Sequence, residues 1–290
     1  MSRDPELGIG EMLGATTSRL AKIHRDQVHR EPWPRFEAFD RDAWPAAMRE
    51  AAAVQWAGRA RAEHGSVQQF SQLAHALTVA CVPLHLHGAL ARMITDEVRH
   101  AELCAEMALA CAPPRAVDVA FAWPSPMPPW PPAPLDRSRD AILAWAAGAI
   151  AIACCLAETL SRPMLDAIAT VATCPIAEAV ARQIGRDEHL HASFGWDALV
   201  VLLPTLDDGG RRHVERSFSL GLGALEQSTC CGIGLTEVAG QALTIARGEP
   251  NLGTLTDLQY AMIFYATIEG EILPRIGELG LDAAALWSAR

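Results

Sequence analysis

The chain has 290 residues, half of them hydrophobic, and a formal net charge of −10. That length and apolar content are enough for a buried core in one large or two modest domains, and they exclude a disordered chain. The acidic balance, with no basic run, argues against a nucleic-acid partner.

The N-terminus, MSRDPELGIGEML, lacks a basic stretch followed by an apolar core, so the expected location is cytoplasmic. The eight cysteines are scattered, two pairs are adjacent, and no CxxC occurs, which points to reduced thiols filling a core.

Residues 1–45 read as an N-terminal extension, with a short helix near 16–28 and an irregular stretch, HREPWPRFEAFD, lying along the surface. A first long helix opens after DRDAWP, with Pro45 in its first turn, and ends before Pro83. A second runs from about Leu84 to Ala112, where Pro113 and Pro114 stop it. Residues 113–134 contain nine prolines and are expected to be extended. The third helix follows, to about Thr173. Its apolar run, Ala141 to Ala157, is 17 residues long and sits at the lower limit for a membrane span. Being Ala-rich and running directly into Glu158, it reads as a helix buried on all sides in a soluble protein, with no membrane partner. The fourth helix starts at Pro175 and ends near Pro204. Helical patches at 211–230, 234–247 and 256–273 make residues 205–290 a C-terminal helical extension expected to pack on the core of 46–204.

Two of these helices carry the same motif. The second contains DEVRH, with Asp96, Glu97 and His100, and the fourth contains DEHLH, with Asp187, Glu188 and His191. One Glu-x-x-His is expected by chance in a chain of this composition, about 0.7 times by simple counting. Two copies, both preceded by Asp and both in mid-helix, are harder to attribute to chance. Positions i and i+3 share a helix face, so each pair can grip one metal ion from adjacent turns.

Residues equidistant from a helical turn lie at the same height on antiparallel partners. Across the turn near residue 173, the position facing Glu188 is Glu158; across the turn near residue 80, the position facing Glu97 is Glu63. Matching heights in the two hairpins make the second and third helices parallel, which requires a crossover as long as the helices. A helix of ~30 residues is ~45 Å long, and the Pro-rich segment can span about 68 Å at 3.1 Å per residue.

Two Glu and two Glu-x-x-His pairs projecting into four helices with one long crossover resemble the ferritin-like di-iron and di-manganese carboxylate superfamily. DEVRH and DEHLH are similar to the signature of acyl desaturases and related oxygenases. The resemblance covers residues 46–204 and implies an all-α, ferritin-like four-helix bundle. It implies metal ligands at Glu63, Glu97, His100, Glu158, Glu188 and His191, with Glu97 and Glu188 bridging. Asp96 and Asp187 would fix the imidazoles of His191 and His100 from behind. The sequence departs from rubrerythrins, which carry a Cys-rich iron site, and from arylamine N-oxygenases, whose third His corresponds to Ile184 here.

Four carboxylates and two imidazoles without a thiolate suit iron, or manganese or a mixed pair, better than structural zinc. The resemblance implies an O2-dependent oxidation, such as hydroxylation, desaturation or N-oxygenation, of a small organic substrate with an external electron donor. An iron-handling or peroxide-scavenging protein is the alternative, and a homodimer is open. The positions three or four from a ligand on its face give a candidate substrate cavity of Val67, Met93, Cys104, Cys154, Cys155, Arg162, Ile184 and Ala192, with Arg162 the one anchor for a carboxylate. Taken singly, Glu63 reads better as a solvated charge, since ARAEHG is a charged stretch and most Glu are exposed. Glu158 does not, because a lone carboxylate in an apolar helix needs a compensating partner.

Overall fold

The computed structural model describes residues 6–8, 13–14, 17–30, 32–112, 120–122, 131–241 and 245–290. The fold is all-α apart from one short two-stranded ladder. A short helix, α1 (Arg19–Val28), begins where the Ser18 hydroxyl accepts from the Ala21 N–H. Two long helices follow, α2 (Ala46–Val79) and α3 (Leu84–Cys111), each entered from a proline, Pro45 and Pro83. A proline has no N–H to orphan and its fixed φ suits a helix start.

Helix α4 (Arg139–Val171) is capped by the Ser138 side chain and contains a π-helical stretch, Ala151–Glu158. The widened turns of that stretch end at Glu158 and have no local sequence signal. Such insertions occur most often at functional sites. Helix α5 (Pro175–Leu202) has Pro175 in its first turn.

The helices α2 and α3 form one hairpin and α4 and α5 another; α3 packs on α5, and α2 on the first half of α4. Where α5 crosses α4, a side chain at Gly195 would meet the Cys154 backbone at 2.7 Å. Glycine there lets the π stretch approach α5 closely. Helix α4 is, by length and composition, apolar enough to cross a membrane, yet 67% of its most apolar stretch is buried by its neighbours.

The C-terminal part begins with α6 (Asp208–Thr229), which lies along the first half and π stretch of α4. Over 234–247 the described residues contain the short α7 (Leu235–Val238) where a longer helix was anticipated. Gly240 at φ +81° ends the helical path, and residues 242–244 lie outside the described residues. Helix α8 (Asp257–Thr267) continues through a π turn, Ile268–Ile272, into α9 (Leu273–Glu278), and α10 (Ala283–Ser288) closes the chain against α6. The loop before α8 fastens the α4–α5 turn. Thr173 N–H donates to the Asn251 carbonyl at 2.9 Å, Asn251 N–H donates to Thr173 Oγ1 at 2.8 Å, and Trp56 Nε1 donates to the Leu252 carbonyl at 2.8 Å.

One expectation near the N-terminus needs correction. The stretch after α1 does not merely lie on the surface: Pro34 is buried, and Trp33, Phe36 and Phe39 pack on the core. Trp33, Phe36 and Phe39 are spaced three apart, a spacing that can place them on one face. Most of the Pro-rich segment, 113–119 and 123–130, lies outside the described residues. Between them β2 (Ala120–Ala122) pairs antiparallel with β1 (Glu6–Gly8).

Candidate metal centre

Each of the four long helices contributes to one buried cluster: Glu63 from α2, Glu97 and His100 from α3, Glu158 from the end of the π stretch in α4, and Glu188 and His191 from α5. His100 and His191 are fully buried, and Glu97 and Glu188 are 1% exposed. Glu63 and Glu158 retain a little exposure.

Both imidazoles turn Nδ1 inward. His100 Nδ1 lies 3.5 Å from Glu188, 3.7 Å from Glu63 and 4.0 Å from Glu97. His191 Nδ1 lies 2.9 Å from Glu97, 3.4 Å from Glu158 and 3.6 Å from Glu188. Glu97 and Glu188 therefore stand near both rings, whereas Glu63 stands beside His100 and Glu158 beside His191. One donor atom from each of Glu97, His100, Glu188 and His191 falls within 4.8 Å of the others, so this buried group could hold a metal ion.

Hydrogen bonds within the protein leave several buried polar atoms of the cluster unpaired. Both carboxylate oxygens of Glu97, both of Glu188 and the Nδ1 atoms of both histidines are buried and make no hydrogen bond. Such groups are rare in folded proteins and costly when unpaired. Burial first and the Glu158 charge second push the Glu97 and Glu188 carboxyls well above the usual range. Burial alone would lower the pKa of His100, but the Asp187 carboxylate at its Nε2 and the nearby Glu63 and Glu97 carboxylates outweigh it and raise it to about 9. His191 is raised further by Asp96, Glu158 and Glu97. These directions favour protonated carboxyls and imidazoles in the same buried group that could hold a metal ion.

Behind each ring stands an aspartate from the other helix. His100 Nε2 lies 3.3 Å from Asp187 and His191 Nε2 lies 3.7 Å from Asp96. The aspartates are tied together by arginines that the sequence reading left without a role. Arg99, 1% exposed, donates to Asp96, to Asp187 at 2.5 Å and to the Val28 carbonyl at 3.0 Å. Arg92 donates to both oxygens of Asp96 at 2.7 and 2.8 Å, and Arg30 donates to Asp187 at 2.7 Å. Gln183 donates to the Arg30 carbonyl at 2.9 Å. The Arg of DEVRH was visible in the motif; Arg30 lies 157 residues from Asp187, with no spacing to betray it.

Of the anticipated cavity residues, Met93, Cys104, Cys154 and Ile184 are fully buried, Ala192 is nearly so, and Val67 is half-buried. Cys104 and Cys154 feel the site: burial, then Glu63 for Cys104 and Glu158 for Cys154, pushes each thiol well above its ordinary value. Cys155 has Arg275 as its charged neighbour and does not share that environment. Arg162 is not a free anchor, since it donates to Glu271 at 2.6 Å across to the π turn after α8. The acidic residue that takes it lies 109 positions away, beyond the reach of a helical-face argument. A residue absent from the reading is Phe70, whose ring stands edge-on to His191 with centroids 6.3 Å apart. Phe70 also lines a cavity of about 20 Å³ with Leu73, Trp145, Ala149 and Ala153. Trp145 and Gln72 continue from there into a groove of about 460 Å³.

Comparison with protein-family models, characterised proteins and solved structures finds no match to this chain.

Proposed function

We propose that the chain is a ferritin-like, di-iron-dependent oxygenase or oxidase that activates O2 to oxidise a small organic substrate. The observation that carries this reading is the set of six buried, unpartnered donor atoms on Glu97, Glu188, His100 and His191, flanked by Glu63 and Glu158. Two iron ions held there would supply the electrons and open coordination positions that O2 reduction requires.

The residues divide into two sets. Glu63 with His100, and Glu158 with His191, would each hold one ion, and Glu97 and Glu188 would bridge. The donor set is oxygen and imidazole nitrogen, which suits iron or manganese. Burial and the glutamate charges push the neighbouring Cys104 and Cys154 thiols up, which disfavours free thiolates beside the cluster.

Other residues exclude water and orient the ligands. Asp187 and Asp96 fix ring rotation from the far side, as outer partners of ligating histidines commonly do. Met93, Ile184, Ala192 and Phe70 line the surroundings with apolar surface, and a dry site protects a reactive oxidant from side reactions. The passage past Trp145 and Phe70 is the proposed route for O2 and substrate.

The test is iron-loaded, reduced protein exposed to O2. Fe(II) uptake that saturates at a fixed stoichiometry, with O2 consumption accelerated by an organic acceptor, supports the enzyme reading. Continued uptake into a ferric mineral decides for iron storage.

A further inference from the structure

We propose that His24, His29 and Glu102 form a second, mononuclear site for a borderline divalent cation of the zinc class. It is separate from the proposed di-iron centre and does not rest on that reading. His24 lies within α1, His29 is the residue that follows its last turn, and Glu102 lies on α3.

The Glu102 carboxylate is gripped at both oxygens. His24 Nε2 lies 2.7 Å from Oε2 and His29 Nε2 lies 2.9 Å from Oε1. One donor atom of each residue falls within 4.8 Å of the other two. The rings are held in place: His29 stacks on Trp33 with centroids 3.6 Å apart and planes at 4°, and His24 stands edge-on to His29 at 5.7 Å.

Two imidazoles and a carboxylate, with no thiolate, form a three-ligand set that leaves a position for water, the arrangement of open zinc sites. The side chains are 36%, 17% and 18% exposed, so an ion can enter without opening the fold. In metal-free protein the two rings donate to Glu102; a cation would replace those two hydrogen bonds with three coordinate bonds.

The placement gives the ion a role. The chain passes from His29 directly to Arg30, which bonds Asp187, and Val28 accepts from Arg99. An ion joining α1 to α3 at this point would fasten the arm that completes the Asp–Arg layer behind the buried cluster.

The test is equilibrium dialysis of full-length, chelator-stripped protein against Zn(II), with zinc counted per chain. Wild type is expected to retain one more equivalent than His24→Gln/His29→Gln, whatever the buried cluster takes up, and Glu102→Gln is expected to lose the same equivalent. Glutamine can still hydrogen-bond Glu102, so the double variant should keep its fold, checked by circular dichroism. If it does not fold, His24→Gln alone, at the most exposed of the three positions, should weaken that equivalent by at least about tenfold. Equal zinc content in wild type and double variant, or unchanged affinity in the single variant, would overturn the proposal.

Discussion

Arg99 on α3 reaches across to Asp187 on α5 at 2.5 Å while also donating to Asp96, its own neighbour one turn back. With 1% of its surface exposed, it is the cation that balances two buried carboxylates. Replacing it leaves those charges with only the half-exposed Arg92 and Arg30 for compensation. Arg99→Met is therefore expected to cost on the order of 3 kcal/mol, read as a lower urea midpoint. A variant within about 0.5 kcal/mol of wild type, the usual range for surface changes, would show that Arg99 is not the keystone described.

Asp187 has a second task, because it also holds His100 Nε2. Asp187→Asn keeps the shape but weakens the grip on the imidazole and its basicity. Iron affinity is expected to fall ~10–100-fold, measured by competition with a chelating dye. Unchanged affinity would remove Asp187 from the support of the site.

Glu188→Gln should act with opposite signs on metal and on stability. The bare cluster buries several carboxyls together, and burial and Glu158 already oppose ionisation of Glu188. A neutral amide relieves that conflict and removes a ligand. Iron occupancy should fall severely while metal-free protein melts no lower than wild type, by the usual trade between site chemistry and stability. A clear drop in the metal-free melting temperature would mean that Glu188 is a structural residue.

The pH response of the same cluster has a fixed sign. His100 is raised to about 9 in the fold, against roughly 6.5 when unfolded. Its contribution to metal-free stability is full below about 6.5 and is lost as pH rises through about 9. The raised carboxyls of Glu97 and Glu188 act in the same direction, starting from the usual carboxylate range. Metal-free protein should melt progressively lower across this interval, and iron affinity should rise across it because protons compete for the same atoms. Affinity that is flat from neutral to alkaline pH would contradict this.

The six clustered residues were legible because the helix period writes them into the sequence. Glu97–His100 and Glu188–His191 are one-turn pairs, and Glu63 and Glu158 follow from equal heights across two turns. What escaped has no period. The π stretch before Glu158 depends on how α4 packs against α5 at Gly195 and on α6, not on a local signal. Arg30 and Gln183 meet through a 153-residue separation, and Arg162 finds Glu271 across 109. The short α7 stands where a longer helical patch was expected, and Gly240 at positive φ follows it.

The most direct measurement is iron anomalous scattering from crystals of the iron-loaded protein. Two peaks are predicted between Glu97 and Glu188, one on the side of Glu63 and His100 and the other on the side of Glu158 and His191. A single peak there, or none in protein that has been reconstituted with Fe(II), would contradict the dinuclear centre.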